Sequence, residues 1–244
     1  MLRRPPAPTR RLAVLTPRQQ LHAGRMPRRL IQLLIGLTLY GISMAMMVRA
    51  GLGLDPWDVF HYAVAQHLGL DLGTVVIIVS VLVLLLWIPL RQWPGLGTIA
   101  NALWIGVVTN IVLWLTPVPT ALAIRIPLMI AAVLLNAIAG GLYIGSQLGP
   151  GPRDGLMTGL HHRTGLSLRV VRISIELTVF VTGWLLGGVV GVGTILYAVC
   201  IGPLVQFFLQ LFIVDLPKVD QAVVGDQAGA ISESCADAPS PRCA

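Results

Sequence analysis

Long apolar stretches separated by short polar breaks run through most of the chain. Continuous runs of about 18 apolar residues or more are typical of transmembrane helices, because about 20 residues at 1.5 Å each cross a hydrocarbon core of about 30 Å. The pattern therefore predicts an all-α membrane protein with six transmembrane helices. The six stretches are 30–48, 72–88, 96–115, 126–144, 168–186 and 193–214.

Two further helices are predicted to be too short to cross the membrane. The first begins at Pro56 and ends near Gly69, and the second runs from Pro152 to Arg163. Asp55 suits the N-cap of the first helix, and Pro56 suits its first helical position. At 1.5 Å per residue this helix is about 18 Å long. We therefore expect each short helix to lie at the membrane interface or to re-enter the bilayer from one side.

The whole pattern occurs twice, at an offset of 96 positions. Within 50–115, 20 of 66 residues are identical to the residue 96 positions later, with no gap. The identities include both short-helix starts, since Pro56 matches Pro152 and Asp58 matches Asp154. A shared apolar composition does not align prolines, aspartates and five pairs of glycines without a gap. The sequence therefore predicts a duplicated unit.

Three predicted spans per unit is an odd number, so the second unit must be inverted relative to the first. The arginines agree, because with both termini inside the cytoplasmic segments hold 15 of the 17 basic residues, as the positive-inside rule requires. Only Arg49 and Arg125 lie on the other side. The predicted organisation is a disordered basic cytoplasmic tail (1–29), membrane repeat 1 (30–115), a linker (116–125), membrane repeat 2 (126–214) and a disordered C-terminal tail (215–244).

The composition supports a membrane protein and excludes other classes. Hydrophobic residues make up 55% of the chain and charged residues 11%, against about 25% charged in soluble domains. The net charge of +7 does not indicate nucleic-acid binding, because the arginines concentrate in the N-terminal segment and near predicted helix ends. The cysteines Cys200, Cys235 and Cys243 lack metal-ligand spacing. No metal, cofactor or nucleic acid is expected.

Several motifs connect the chain to a known group of proteins. They are G-x-D-P-W-D-V at 53–59, P-G-x-G-T-x-x-N at 94–101, G-P-R-D-G-L-M-T-G-L at 151–160, R-x-x-R-x-x-x-E at 169–176, W-L-L-G-G at 184–188 and G-x-G-T at 191–194. Over about 30–214 the chain resembles the bacterial YczE/YyaS/YitT group of integral membrane proteins. The resemblance implies a multi-pass protein of the bacterial plasma membrane with a repeat architecture, and it implies no specific chemistry.

Asp58 and Asp154 occupy matching positions at the starts of the short helices. One interpretation is structural, since an acid in the first turn satisfies free backbone N–H groups. The other is functional, since broken helices in inverted-repeat transporters direct their positive N-termini at an anionic substrate. The two aspartates then set selectivity or bind a coupling ion, and both interpretations can hold together. Arg153, beside Asp154, is a further candidate for binding negative charge.

Arg172 and Glu176 form a second candidate pair, on the fifth predicted span. Spacings of three and four place them near one face with Arg169. Glu176 lies in the third turn, where a lone acid costs a few kcal/mol or more, so it should be paired or protonated. Arg172 is the expected partner and Arg153 a second one. The pair either fixes helix packing or handles a ligand or a proton. The first unit has no charged residue at the matching positions, so a symmetric site is not expected.

These observations predict a protein that moves or binds a small solute, anionic or amino-acid-like, between the two repeats. In this hypothesis Arg153, Arg172 and the short-helix N-termini bind negative charge. Glu176 and Asp154 handle a proton or balance the arginines. The sequence leaves two alternatives open, a non-transporting membrane scaffold and a membrane-embedded substrate-binding subunit of a larger transporter.

An enzyme is not expected, because the sequence has no nucleophile–base arrangement, zinc-protease motif or phosphate-binding loop. The partners expected are the lipid bilayer, a small solute, and either a second copy of the chain or another membrane protein. The solute-binding and scaffold hypotheses differ in what surrounds Arg172 and Glu176. The pair faces a wet cavity between the two repeats in the first hypothesis and a dry helix contact in the second.

Overall fold

The computed structural model describes residues 17–216, which fold into nine α-helices with no β-strand among them. The helices are α1 (Pro17–His22), α2 (Met26–Ala50), α3 (Pro56–Leu68), α4 (Leu72–Trp87), α5 (Leu96–Leu115), α6 (Leu122–Gly145), α7 (Pro152–Thr164), α8 (Leu168–Leu185) and α9 (Val192–Phe212). The prediction of an all-α protein is confirmed.

Four of these helices, α2, α5, α6 and α9, are long and apolar enough to cross a membrane by length and composition. The helices α3 and α4 pass the same test only together, as a pair bent by 113° at the break between them. Alone, α4 has 16 residues, and α8 carries three charged residues. The described chain thus has four or five such spans, and the count of six stays a prediction.

The series α2–α5 is repeated as α6–α9. The starts of α3 and α7, of α4 and α8, and of α5 and α9 each lie 96 positions apart, which is the offset of the sequence repeat. At the centre of the fold α2 packs against α6, with α5 on α2 and α9 on α6. The duplication seen in the sequence therefore extends to the order and length of the helices.

Two arginines show how α2 and α6 are related. Arg29 in the first turn of α2 donates from Nε to the Ser146 carbonyl, just after the end of α6, at 2.8 Å. Arg125 in the first turn of α6 donates from Nε to the Ala50 carbonyl, at the end of α2, at 2.6 Å. Each guanidinium also bonds the next carbonyl along the chain, at 2.6 and 2.8 Å. The start of each helix therefore meets the end of the other, so α2 and α6 run antiparallel.

The loops before the two short helices make a second reciprocal contact. The Gly97 N–H at the start of α5 donates to the Leu148 carbonyl at 2.9 Å, and the Gly193 N–H at the start of α9 donates to the Leu52 carbonyl at 2.8 Å. Both pairs are again related by the offset of 96. Each loop is therefore held by the other unit, which fixes where each short helix begins.

The short helices also pack across the units, since α3 lies against α8 and α7 lies against α4. The two repeats differ in one contact. In the first repeat α4 packs along α5, whereas in the second α8 makes no comparable packing with α9. A Cβ placed on Gly106 of α5 would meet Gly73 and Ile77 of α4, but one placed on Gly202, the matching residue of α9, meets nothing within 4 Å. A gap therefore separates α8 from α9.

Two helix boundaries differ from the predicted organisation. Residues 17–29 were predicted to belong to a disordered tail, but they contain α1 and the start of α2. The reason is that Arg29 is completely buried, because its guanidinium satisfies carbonyls at a helix end instead of facing water. The linker predicted over 116–125 is shorter, because α6 begins at Leu122 and Arg125 is held inside it.

The C-terminal boundary also moves. Leu216 is buried in a small cluster with Ala23 and Val214, so the tail predicted to begin at residue 215 starts beyond this contact. The remaining parts of the two predicted tails, 1–16 and 217–244, lie outside the described residues.

Candidate functional site

The N-termini of the two short helices meet at the centre of the molecule. Arg153, in the first turn of α7, lies with its Nη1 3.7 Å from Oδ2 of Asp55, the N-cap residue of α3. Its guanidinium stands 5.6 Å from the centre of the Trp57 ring and donates to the Tyr40 hydroxyl at 2.9 Å. Because Trp57 and Arg153 are matching residues of the two repeats, this contact lies where the two units face each other.

The start of α3 contains a buried chain of polar groups. The Asp55 carboxylate accepts from the Asp58 N–H at 2.7 Å, which confirms Asp55 as the N-cap. Asp58 in turn lies with Oδ1 3.2 Å from Nδ1 of His61, and all three side chains are buried. The backbone cap proposed for Asp58 is therefore supplied by Asp55, and the Asp58 carboxylate faces His61 instead.

Asp154 is placed differently from its counterpart Asp58. The N-cap of α7 is Gly151, which has no side chain to cap with. The Asp154 carboxylate accepts from the Tyr143 hydroxyl of α6 at 2.9 Å. The capping interpretation therefore does not describe Asp154 either, because its carboxylate bonds a tyrosine of α6 within the same repeat, and both residues line the central cavity.

A cavity of about 480 Å³ opens between the units, where α8 is separated from α9. Residues of α2, α3, α6, α7, α8 and α9 surround it, so both repeats contribute to the wall. Its charged lining residues are Asp55, Arg153, Asp154, Arg172 and Glu176. Four of the five residues predicted for the site thus line one cavity, and Asp58 lies behind the wall instead.

The Arg172–Glu176 pair lies in the wall of this cavity. The Nε of Arg172 is 2.9 Å from Oε1 of Glu176, and the two side chains are 62% and 34% exposed. The predicted pairing is therefore present, and the pair faces the cavity instead of a dry helix contact. Such a pair is accessible to a solute.

Asp154 differs from the other carboxylates of the cavity in its charge balance. Asp55 has Arg153 within 4.0 Å and Glu176 has Arg172, whereas no cation of the described chain lies within that distance of Asp154. Three carboxylates therefore line the cavity with two guanidinium groups.

Two buried polar atoms in the same wall have no hydrogen-bond partner within residues 17–216. They are Oδ2 of Asp55, an acceptor, and Nε1 of Trp57, a donor. Asp55 is completely buried and Trp57 is 6% exposed, and both residues line the cavity. A buried polar atom without a hydrogen bond costs about 1–3 kcal/mol. Trp57 Nε1 therefore favours a ligand that supplies an acceptor, whereas Asp55 Oδ2 is partly compensated by Arg153 Nη1 at 3.7 Å.

Four aromatic residues complete the wall, and none of them was predicted for the site from the sequence. Tyr143 bonds Asp154, and the Tyr197 hydroxyl bonds Asn136 at 3.3 Å. The others are Tyr40 and Trp57. A usable signal was present, since a phenol inside an apolar span needs a polar partner. Nothing in the sequence, however, indicates that these residues converge on one cavity.

Residues 27–210 match DUF6198, a family of unknown function. The chain belongs to this family. A protein of Haemophilus influenzae described as uncharacterized is 44% identical over 191 residues, covering 77% of this chain and 85% of that protein. The uncharacterized membrane protein YczE of Bacillus subtilis is 35% identical over 171 residues, covering 70% of this chain and 79% of that protein. No solved structure matches.

These comparisons confirm the predicted resemblance to the YczE group and the membrane location. Because the matched residues 27–210 run from the first residues of α2 almost to the end of α9, the family region contains both repeats and the whole cavity. Within the described part of the chain, no three His, Cys, Asp or Glu side chains are grouped so that they could hold a metal ion.

Proposed function

We propose that the protein is a small-solute permease of the bacterial plasma membrane, whose binding site is the cavity between two inverted membrane units. The observation that carries the proposal is the cavity itself. It lies where the N-termini of two short helices meet, it is lined by both repeats, and five charged side chains line it. Ionisable groups within a membrane protein mark substrate or ion pathways by default.

The reciprocal arginine contacts support the inverted arrangement. Arg29 and Arg125 are matching residues, and each holds the far end of the other unit's first helix. Two matching helices that span the membrane and run antiparallel are related by an axis in the membrane plane. Inverted repeats of this kind bind substrate near the midplane, at broken helices. In this topology α4 and α8 are the remaining two spans, and both termini are cytoplasmic.

The short helices support a negatively charged group on the solute. Each helix carries a partial positive charge at its N-terminus, and the two N-termini approach each other beside the cavity. Arg153 and Arg172 add two full positive charges to its wall. Part of this charge is balanced by carboxylates of the protein, so the solute's negative group is expected near Arg172, whose side chain is the more exposed of the two.

The asymmetry between the units supports movement. The contact of α4 with α5 is closed at Gly106, whereas the matching contact of α8 with α9 is open at Gly202. In inverted-repeat transporters alternating access results from one repeat or bundle moving against the other around the site. We propose that the solute enters through the open contact and leaves when α8 closes and α4 opens.

The scaffold alternative fits less well. A scaffold would keep Arg172 and Glu176 in a dry contact that fixes helix packing, but the pair lines the cavity. A substrate-binding subunit of a larger transporter would use the same cavity, so it differs from the permease in its partner and not in its site. We do not propose an enzymatic activity.

The experiment is a thermal-stability screen of the detergent-purified protein against amino acids, amines, carboxylates, sugars and inorganic anions. A ligand at 100 times its dissociation constant adds about 2.7 kcal/mol to the folded state, which gives a readable shift of Tm. Arg172→Gln and Glu176→Gln should lose the shift. Arg169→Gln is the matched control, because it removes a charge from the same helix outside the cavity lining. Failure of all five classes to raise the Tm of the wild type would contradict the proposal.

A further inference from the structure

The side chains of the cavity wall favour a solute that carries a positive charge as well as a negative one. Three carboxylates and two guanidinium groups line the wall, and Asp58 adds a buried carboxylate just behind it. Carboxylates therefore outnumber guanidinium groups in the wall, and a carboxylate without a cation beside it is costly in a low-dielectric site. The solute is therefore expected to supply a positive charge to the carboxylates as well as a hydrogen-bond acceptor to the donors of the wall.

Asp154 marks where the positive charge belongs. Its Oδ2 accepts one hydrogen bond, from the Tyr143 hydroxyl, and no described cation lies within 4.0 Å of it. An ammonium group supplies up to three hydrogen-bond donors and a full positive charge, which is what the Asp154 carboxylate lacks.

The aromatic walls also suit a cation. The face of an aromatic ring attracts a cation placed within about 6 Å of its centre. Arg153 already uses the rings of Tyr40 and Trp57 in this way, at 5.9 and 5.6 Å. Tyr143 and Tyr197 line the same cavity, and neither ring holds a cation within the described residues.

Arg172 and Trp57, in contrast, need a hydrogen-bond acceptor from the solute. Arg172 contacts Glu176 through Nε and leaves 62% of its side chain exposed, so its terminal nitrogens are available to a second acceptor. Nε1 of Trp57 is a buried donor without an acceptor. A simple cation supplies no acceptor to either group, so a cation alone leaves this side of the cavity unsatisfied.

We infer that the solute is a small zwitterion, whose cationic group pairs with Asp154 and whose anionic group pairs with Arg172. This inference rests on the proposed function, since it names the substrate class of the same cavity. It assigns the two residues different roles, because Asp154 selects for the positive group and Arg172 for the negative one. The solute therefore carries both charges at neutral pH, as α-amino acids do.

The test compares three probe series that share their carbon skeletons. The first series is α-amino acids, the second is the amines that lack the carboxylate, and the third is the carboxylates that lack the amine. Tm of the detergent-purified full chain is measured with each probe. We expect a zwitterion to stabilise the wild type, and its amine and carboxylate halves to stabilise it much less. Loss of one charged hydrogen bond weakens affinity about tenfold or more.

Asp154→Asn keeps the shape of the side chain and an acceptor for the Tyr143 hydroxyl, and we expect it to weaken zwitterion binding about tenfold or more. Its Tm without ligand separates loss of binding from loss of folding, and Arg169→Gln should bind as the wild type does. Carboxylates that bind as tightly as zwitterions, or zwitterion binding unchanged in Asp154→Asn, would overturn the inference and leave the permease proposal standing. Stabilisation only by sugars or inorganic anions would do the same. A screen with no stabilising solute at all would overturn both.

Discussion

The two arginines that join α2 to α6 allow a quantitative prediction of stability. Arg29 is completely buried and donates to three carbonyl groups, at 2.8, 2.5 and 2.6 Å. Arg125 is half-buried and donates to two, at 2.6 and 2.8 Å. A hydrogen bond to a charged group contributes about 1.5–3 kcal/mol net. Loss of Arg29 is therefore expected to cost about 4–9 kcal/mol by this sum.

The cost at Arg125 is smaller, about 2–4 kcal/mol, because it makes fewer bonds and its partial exposure lets water replace them. Since whole domains are stable by about 5–15 kcal/mol, Arg29→Gln should give little folded protein. Arg125→Gln should give folded protein with a lower Tm. The assay is the monodisperse yield by size-exclusion chromatography in detergent, followed by Tm of the recovered protein. Arg28→Gln is the matched control, because Arg28 is the exposed neighbour. A yield and Tm of Arg29→Gln equal to those of this control would refute the reasoning.

Three further predictions follow from the reciprocal packing of the two units. Cysteines at Leu70 and Leu166, matching exposed positions after the short helices, should react with an impermeant maleimide from opposite sides of the membrane, and reaction from the same side would contradict the inverted topology. Cysteines at Ile173 and Gly202, in a chain whose natural cysteines are replaced by serine, should form a disulfide in membranes. The reason is that α8 is expected to close on α9 in the way that α4 already packs on α5, and absence of a cross-link under oxidation would contradict this closure. Gly155→Leu should prevent folding, because even a Cβ there would overlap the Trp87 ring, and normal yield would show that α7 can move away from α4.

Much of the fold could be predicted from the sequence because duplication and helix ends have local signals. The offset of 96 positions and the prolines that begin the short helices predicted the order of the elements, and Asp55 was correctly predicted as an N-cap. The arginines were harder to interpret. Arg49 and Arg125 were exceptions to the positive-inside rule, and both donate to helix-end carbonyls, Arg49 to that of Leu113. Arg29 likewise donates to carbonyls just after the end of α6. This contact explains why the chain is helical around Arg29, where a disordered tail was predicted.

The cavity could be predicted only in part. The Arg172–Glu176 pair has the helical spacing that identifies a contact, and Asp154 was found by its match to Asp58. The tyrosines and Trp57 come from separate helices and have no common motif, so their convergence depends on tertiary packing. The open contact of α8 with α9 was also beyond the sequence, because Gly202 and its matching residue in α5 are identical and differ only in what packs against them.

Access to the cavity from both sides of the membrane is the most direct test of the central claim, that a solute site between two inverted units opens alternately. The measurement is labelling of a single cysteine at Ala198, which lines the cavity, with an impermeant maleimide in right-side-out and inverted vesicles. A cysteine at Leu166 serves as the control that only one side should reach. We expect the cysteine at Ala198 to be labelled in both kinds of vesicle. Labelling from one side only, or from neither, would contradict alternating access and favour a binding site open to one side or a scaffold role.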